Sequence, residues 1–534
     1  MKAGQNSRKI GFFFALTMLI GSVVGIGIFF KNHSIKEATS GDGLSWLMTW
    51  VLAGIISLCS ALSFSEISRI KNTKASGISN WAAQLGGKAF GYFINFNYTF
   101  LYGAILIVAL SFFSAEALHN FIEICANGAF KIPTYYLPFS ALVIFVFFFS
   151  MMVISLKISS SIQKIVTILK FIPLIFAIII GISLYKQNYA GGSNAFNKVN
   201  FSWSSVKGLL VALPFALFAY DAFLSVGSVA NNLKKDTLPL IVIIGMSAVI
   251  VTYSLIAVSA ILHNSGLVEQ IIKNTIDQSK NNKLAQSLTI TFNLFLFISA
   301  IGVLNGVTTG FVYELNNAIN LKIILGGAKY RSKMNLKRMI VFLISIIYGI
   351  IWIIISSTVW VLKGDNALDG LSNLPTFIFF NFYAVIIILY LRKRKNINVK
   401  KMNSVLFWLF SILAIIGSLF TNVAYIWATI AGILNNDRAL SGIFYGNETL
   451  YIGKWVELVF YFVYWIFIIV FPLINYYLIK KFEQRNVLDE FDLINYKPKY
   501  LEDIWSNYNF NDSPDIVRSI DEEPKKLNDA IKNE

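Results

Sequence analysis

The sequence predicts an all-α integral membrane protein of twelve transmembrane helices. Three observations predict it. The 534 residues are 56% hydrophobic and only 14% charged, the mean hydropathy is +0.64, and twelve separate windows of about 20 apolar residues recur along the chain. A soluble chain of this length would carry about a quarter charged residues and divide into roughly three or four domains. In lipid, where no water serves the backbone, a helix of that length satisfies its own N–H and C=O groups.

Taken in order, the predicted helices lie at 10–30, 44–66, 89–117, 136–156, 162–185, 206–230, 239–262, 284–314, 338–361, 374–391, 404–433 and 455–479. The first lacks a small-residue cleavage site before further helices follow, so it reads as a retained span and not a cleaved signal. The fourth, with Phe145 to Phe149 inside it, is apolar all round, which suits a lipid-facing or fully packed helix. Cys59 and Cys125 fall in an apolar helix and a loop, which argues against a disulfide framework.

The formal net charge is +17. Residues 1–485 carry +23, and residues 486–534 carry −6, so the basic excess belongs to the membrane part. Counted with the adjoining helix ends, the connections sort into two sets holding 26 and 12 Lys+Arg. The richer set includes both termini, and the positive-inside bias places it in the cytoplasm of a multi-pass plasma-membrane protein. The run Arg392-Lys393-Arg394-Lys395, with Lys400-Lys401, reads as an orientation signal and a contact for lipid headgroups, not for nucleic acid. The polar tail with Pro498, Pro514 and Pro524 has few aliphatic residues and is expected to be flexible or draped on the cytoplasmic face.

Two spans are interrupted at mid-membrane. The first reads Gly21-Ser22-Val23-Val24-Gly25-Ile26-Gly27-Ile28-Phe29, and each glycine weakens a helix by about 1 kcal/mol relative to alanine. Gly21 and Gly25, four apart, suit small-xxx-small packing, but Gly25 and Gly27 cannot share one face. An unwound stretch, with bare N–H groups turned toward a ligand, explains all three. The sixth span reads Pro214-Phe215-Ala216-Leu217-Phe218-Ala219-Tyr220-Asp221. Asp221 is the acid deepest in an apolar span, whereas Glu66, Glu116, Glu314 and Glu457 sit near predicted helix ends. A carboxylate at such depth is expensive and therefore functional by default; a proline kink with a polar residue satisfied by a neighbour is the alternative.

Five spans, an odd number, separate the start of one run from the other, so the second run of five is inverted relative to the first. Matching interruptions in two inverted halves mark a transporter's midplane site. Broken helices offer N–H groups to a carboxylate and carbonyls to an ammonium group. Free amino acids carry both. The resulting division is a cytoplasmic N-terminus 1–9, helices 1–5 over 10–185, helices 6–10 over 206–392, helices 11–12 over 404–479 and a cytoplasmic acidic tail 480–534.

These residues resemble the amino acid–polyamine–organocation superfamily. Gly21 to Phe29 is similar to its first-helix signature, G-x-x-x-G-x-G-I-F. Ser63-Phe64-Ser65-Glu66-Ile67 with Ser76-Gly77, Trp81 and Phe90-Gly91 resembles its second-helix exit and third-helix entry. Ile162-Gln163 and Lys170-Phe171-Ile172-Pro173-Leu174 resemble its fifth helix, and Phe218 to Phe223 with Asn231 to Lys235 and Pro239 its sixth. The chain departs from the pattern at Asn231-Asn232 and Lys234-Lys235-Asp236, and at Gly310 to Glu314 after the eighth helix.

The resemblance implies a LeuT-type fold of two inverted five-helix repeats with two added helices, and secondary transport of amino acids by alternating access. It implies that backbone at Ser22, Val23, Gly25, Ile26 and Gly27 holds the substrate carboxylate. Backbone at Phe218, Ala219 and Asp221 would take the amine, with Phe215 and Phe218 as an aromatic gate. Lys170 would stand where sodium-coupled relatives bind a cation, which implies proton coupling or exchange; the alternative is a lysine snorkelling at a helix end.

Other function classes leave no trace. His33, His119 and His263 fall near predicted extracellular helix ends as interfacial residues, so neither a metal site nor a catalytic cluster is expected, and no cofactor. The chain has no Walker A motif for ATP-driven pumping and no ring of like residues for a channel. A non-transporting amino acid sensor on the same fold, or a polyamine or cationic amino acid antiporter, are the alternatives that keep the same architecture.

Overall fold

The computed structural model describes residues 12–25, 27–70, 77–126, 129–154, 156–183, 203–224, 237–275, 278–326, 336–362, 366–434 and 456–494. Among them every regular element is a helix. Ten helices are long and apolar enough to cross a membrane. The first predicted span is instead two short helices, α1 (Phe12–Val23) and α2 (Gly27–Ala38). The sixth is α9 (Trp203–Tyr220), followed by a turn. The expected N-terminal segment 1–9, the loop residues Asn231 to Lys235 and the tail beyond residue 494 lie outside the described residues.

The helices between these two are α3 (Gly43–Ile67), α4 (Gly77–Gly86), α5 (Lys88–Cys125), α6 (Leu137–Ile154), α7 (Leu156–Leu169) and α8 (Phe171–Ile178). After α9 come α10 (Leu238–Leu262), α11 (Val268–Thr275), α12 (Gln278–Asn320), α13 (Leu336–Leu362), α14 (Asn366–Lys393), α15 (Ser404–Leu434) and α16 (Val456–Glu483). Asp42 caps α3, its carboxylate accepting from the Ser45 backbone N–H at 3.0 Å, which satisfies one of the orphan donors of the first turn.

Burial sorts the helices into an interior and a rim. In the most apolar 18-residue window of α14, 78% of residues are buried, against 28% in that of α13. On α6, Phe145 and Phe148 are buried while Phe139, Val143 and Phe147 are exposed. The fourth predicted span is therefore a rim helix with one packed face and one apolar face turned outward. Ile350 and Ile353 on α13, Ile416 and Val423 on α15, and Val459 and Phe462 on α16 extend the same exposed apolar belt, as a bilayer requires.

Side chains close the polar gaps between helices. Pro472 inside α16 has no N–H for the Ile468 carbonyl. Asn97 of α5 donates to that carbonyl at 3.1 Å, and Tyr92 donates to the carbonyl of Pro472 itself at 2.8 Å. Asn32 of α2 accepts from the indoles of Trp46 and Trp50 at 2.7 and 3.1 Å, fixing α2 against α3.

Two readings of polar residues are corrected, at Arg394 and at the histidines. Glu66 lies near the end of α3, as expected, and is fully buried there. It pairs with Arg394 at 2.6 Å and accepts from Tyr390 at 2.8 Å and from the Met402 N–H at 2.6 Å. Arg394, read from the sequence as part of an orientation signal at the headgroups, is thus an internal partner, 8% exposed, which also donates to the Met402 carbonyl and the Ser404 hydroxyl. His119 and His263 are buried, the first bonded to Ser140 at 2.7 Å and the second to the Gly181 carbonyl at 2.9 Å; His33 is exposed.

The start of the tail is held down. Residues Val487–Ile494 form a short 3₁₀ strap whose Val487 and Phe491 are buried against Ala83 of α4, Tyr92 of α5 and the Leu321–Ile323 stretch after α12. Lys322 bonds Glu490 at 2.9 Å across this contact.

Candidate functional site at two helix interruptions

A helix that stops inside a membrane protein leaves its last carbonyls without intrahelical donors. α1 stops at Val23; Val24 and Gly25 follow in non-helical backbone, and Ile26 lies outside the described residues. Two of the freed carbonyls are met by side chains from other helices. The Lys170 ammonium donates to Gly21 O, and the Tyr253 hydroxyl of α10 donates to Val23 O at 3.1 Å. Ser22 lies between them in the last turn of α1. A cation is favourable at a helix C-terminus, where the partial charge is negative.

Lys170 is 2% exposed, so it does not snorkel. It stands at the joint between α7 and α8. Pro173 makes that joint, because it has no N–H for the Leu169 carbonyl one turn back.

Each glycine of the first interruption admits a different helix. A Cβ on Gly21 would come within 2.8 Å of Thr167 on α7, and one on Gly25 within 2.8 Å of Val303 on α12. A Cβ on Gly27 would come within 2.9 Å of Ala219 on α9. Close approach therefore accounts for the three glycines, and the break lies where those approaches coincide.

The second interruption falls later than its proline. α9 continues through Pro214 and ends at Tyr220. Asp221 N donates to Phe218 O at 3.3 Å, and Ala222 takes a left-handed φ of +72°, which turns the chain away. The Asp221 side chain, 8% exposed, accepts from the Tyr102 hydroxyl. Tyr102 lies in a π-helical turn, Tyr98–Gly103, within α5. Such a turn adds a residue to the helical repeat and re-aims the side chains after it. Tyr98 stacks on Tyr102 at 4.8 Å and Phe379 of α14 packs on Tyr102 at 4.9 Å.

The structure thus brings the two breaks together. Gly27 meets Ala219, and the Tyr253 hydroxyl that reaches Val23 O also lies 3.4 Å from Ala219 O. The first N–H groups of α2 and the last carbonyls of α1 and α9 face this junction with opposite polarity. Phe215 is buried and Phe218 half-buried beside it, with Phe218 6.4 Å from Phe113 of α5.

Three residues absent from the sequence reading join the site: Tyr102, Tyr253 and Lys31. Lys31 falls one residue past the predicted end of the first span, yet it is fully buried on α2. The tyrosines carry no charge and look like ordinary span aromatics. Among the described residues no group of three or more His, Cys, Asp or Glu gathers as a metal site would need.

Residues 10–446 match the model of the amino acid permease family. The chain belongs to that family. This permease is 26% identical over 314 residues to the serine/threonine exchanger SteT of Bacillus subtilis, an alignment covering 57% of the permease and 66% of the exchanger. It is 23% identical over 397 residues to the b(0,+)-type amino acid transporter 1 of Mus musculus, covering 73% of the permease and 76% of that transporter. To the human cystine/glutamate transporter it is 24% identical over 309 residues, covering 57% and 59%.

Proposed function

We propose that this permease is a secondary transporter that moves free amino acids across the plasma membrane by alternating access, coupled to protons or to counter-movement of a second amino acid. One observation carries the reading: two interrupted helices meet at Gly27 and Ala219 with N–H ends and carbonyl ends side by side. Such a junction complements a zwitterion, since the N-terminal end of α2 favours a carboxylate and the carbonyl ends favour an ammonium group. The relatives point the same way, because SteT is named an exchanger and the b(0,+)-type protein an amino acid transporter.

In this reading backbone at Ser22, Val23, Gly25, Ile26 and Gly27 receives the carboxylate. Backbone at Phe218, Ala219 and Asp221 receives the amine, and Phe215 with Phe218 forms the gate. Lys170 is the coupling residue: a tethered cation at the end of α1 makes a bound metal cation unnecessary there, and loss of its proton would weaken its tie to Gly21. The chain crosses the membrane twelve times with both termini cytoplasmic. Helices 1–5 (10–185) and 6–10 (206–392) form LeuT-type inverted repeats, and helices 11–12 (404–479) are appended. In that count α1 with α2 is the first crossing, and α9 opens the sixth.

The experiment is uptake of labelled amino acids into proteoliposomes, each of the twenty and common polyamines competing, with and without a pH gradient and with and without internal amino acid. Accumulation of a neutral amino acid, driven by protons or by exchange and independent of sodium, is the expected result. Binding without flux would make the chain a sensor, and competition by polyamines or arginine alone a cationic antiporter; either outcome overturns the proposal.

A further inference from the structure

Lys31 lies on α2 one helical turn beyond Gly27, and none of it is exposed. Its ammonium donates to the Ser372 hydroxyl of α14 at 2.9 Å. It also lies 4.9 Å from the ring centroid of Phe113 on α5, 4.7 Å from that of Phe218 and 6.0 Å from that of Phe215, both on α9. One charge therefore touches four helices. Two of them, α2 and α9, belong to the interruptions; the other two, α5 and α14, do not. An ammonium group inside an apolar bundle is costly, and aromatic faces and a hydroxyl offset that cost only while all of them surround it.

Lys31 and Lys170 stand on opposite sides of the break. Lys170 holds the end of α1 through Gly21, whereas Lys31 holds α2 through groups on α5, α9 and α14. We propose that Lys31 is a positioning residue that latches the outer gate. With its ammonium seated among Phe113, Phe215, Phe218 and Ser372, α2 and α9 are tied to α5 and α14, and the extracellular path to the junction is shut. Opening that path separates the four helices and unseats the ammonium. The proposal rests on the transport reading and on the topology given with it.

The test measures KM from each side in proteoliposomes of determined orientation, for wild type, Lys31→Met, Lys31→Arg and Ser372→Ala. The probe is labelled serine, or another of the twenty amino acids if wild type carries that one instead. Apparent affinity scales with the fraction of protein open to the side tested. Lys31→Met is therefore expected to lower the external KM about fivefold and raise the internal KM about twofold. Ser372→Ala shifts both in the same senses by less, and Lys31→Arg stays near wild type. Where Lys31→Met fails to yield monodisperse protein, Ser372→Ala decides alone. KM values that rise together on both sides, or do not move, overturn the latch; so does a change confined to acidic amino acids, which would make Lys31 a reader of substrate charge. Absence of wild-type flux for every amino acid refutes the transport reading itself, and the latch with it.

Discussion

Gly27 rests directly on Ala219, so close that a methyl group on Gly27 would stand 2.9 Å from both Cα and Cβ of Ala219. The contact joins the two interrupted helices backbone to backbone, at the start of α2 and the end of α9. A side chain between them would part the N–H groups of one from the carbonyls of the other.

Gly27→Ala is accordingly expected to cost about 1–3 kcal/mol through overpacking and to reduce amino acid uptake by tenfold or more. Gly349→Ala is the control, since a Cβ there meets nothing within 4 Å. Uptake rates beside melting temperatures of the two variants check this, and equal behaviour would remove the contact from the mechanism.

Tyr102→Phe deletes the hydroxyl that Asp221 accepts from. A hydrogen bond to a charged group is worth about 1.5–3 kcal/mol, so transport should fall about ten- to a hundredfold. A double-mutant cycle with Asp221→Asn reads the coupling between the two. Additive losses would mean that the Tyr102 hydroxyl acts independently of Asp221.

Lys170→Met removes the cation from the end of α1 while keeping an unbranched apolar side chain. Stimulation of uptake by an inward proton gradient is expected to vanish, while exchange of internal for external amino acid continues. Uptake measured across a series of imposed pH differences distinguishes the outcomes. A variant that kept its full pH response would place coupling elsewhere.

Glu66→Gln leaves Arg394 buried without a full counter-charge. Breaking a buried pair by changing one partner costs about 3–5 kcal/mol, so the melting temperature should drop by several degrees with little change in KM for surviving activity. Replacing both partners, Glu66→Gln with Arg394→Met, is expected to restore part of the loss, because the desolvation of two charges disappears together.

Apolar windows made the long helices legible, because hydrophobic length is what a bilayer selects. The two interruptions were legible for the opposite reason: glycines in one span and an acid in the other violate what lipid tolerates. Within the sixth span the break falls at the acid and not at Pro214, since the helix continues through the proline and turns only after Tyr220. Arg394 and Lys31 fall just past the ends of predicted apolar stretches, where hydropathy cannot separate a headgroup contact from a side chain folded inward. Glu66 gave no sign of its pairing, because its partner stands 328 residues away in the chain. The role of Tyr102 depends on a π turn, which shifts register without altering composition. Such long-range partners and register shifts are written in three dimensions, not in local pattern.

A hydroxyl has a single hydrogen. Tyr253 stands 3.1 Å from the carbonyl of Val23 and 3.4 Å from that of Ala219, and it can satisfy only one of them at a time. Motion that carries both helix ends together leaves the competition undecided, whereas motion that parts them awards the hydrogen to one side. Tyr253 thus stands as a differential gauge between the ends of α1 and α9. It is blind to their common travel and sensitive to their separation, and infrared shifts of the two carbonyls would make that separation readable without any label on the substrate.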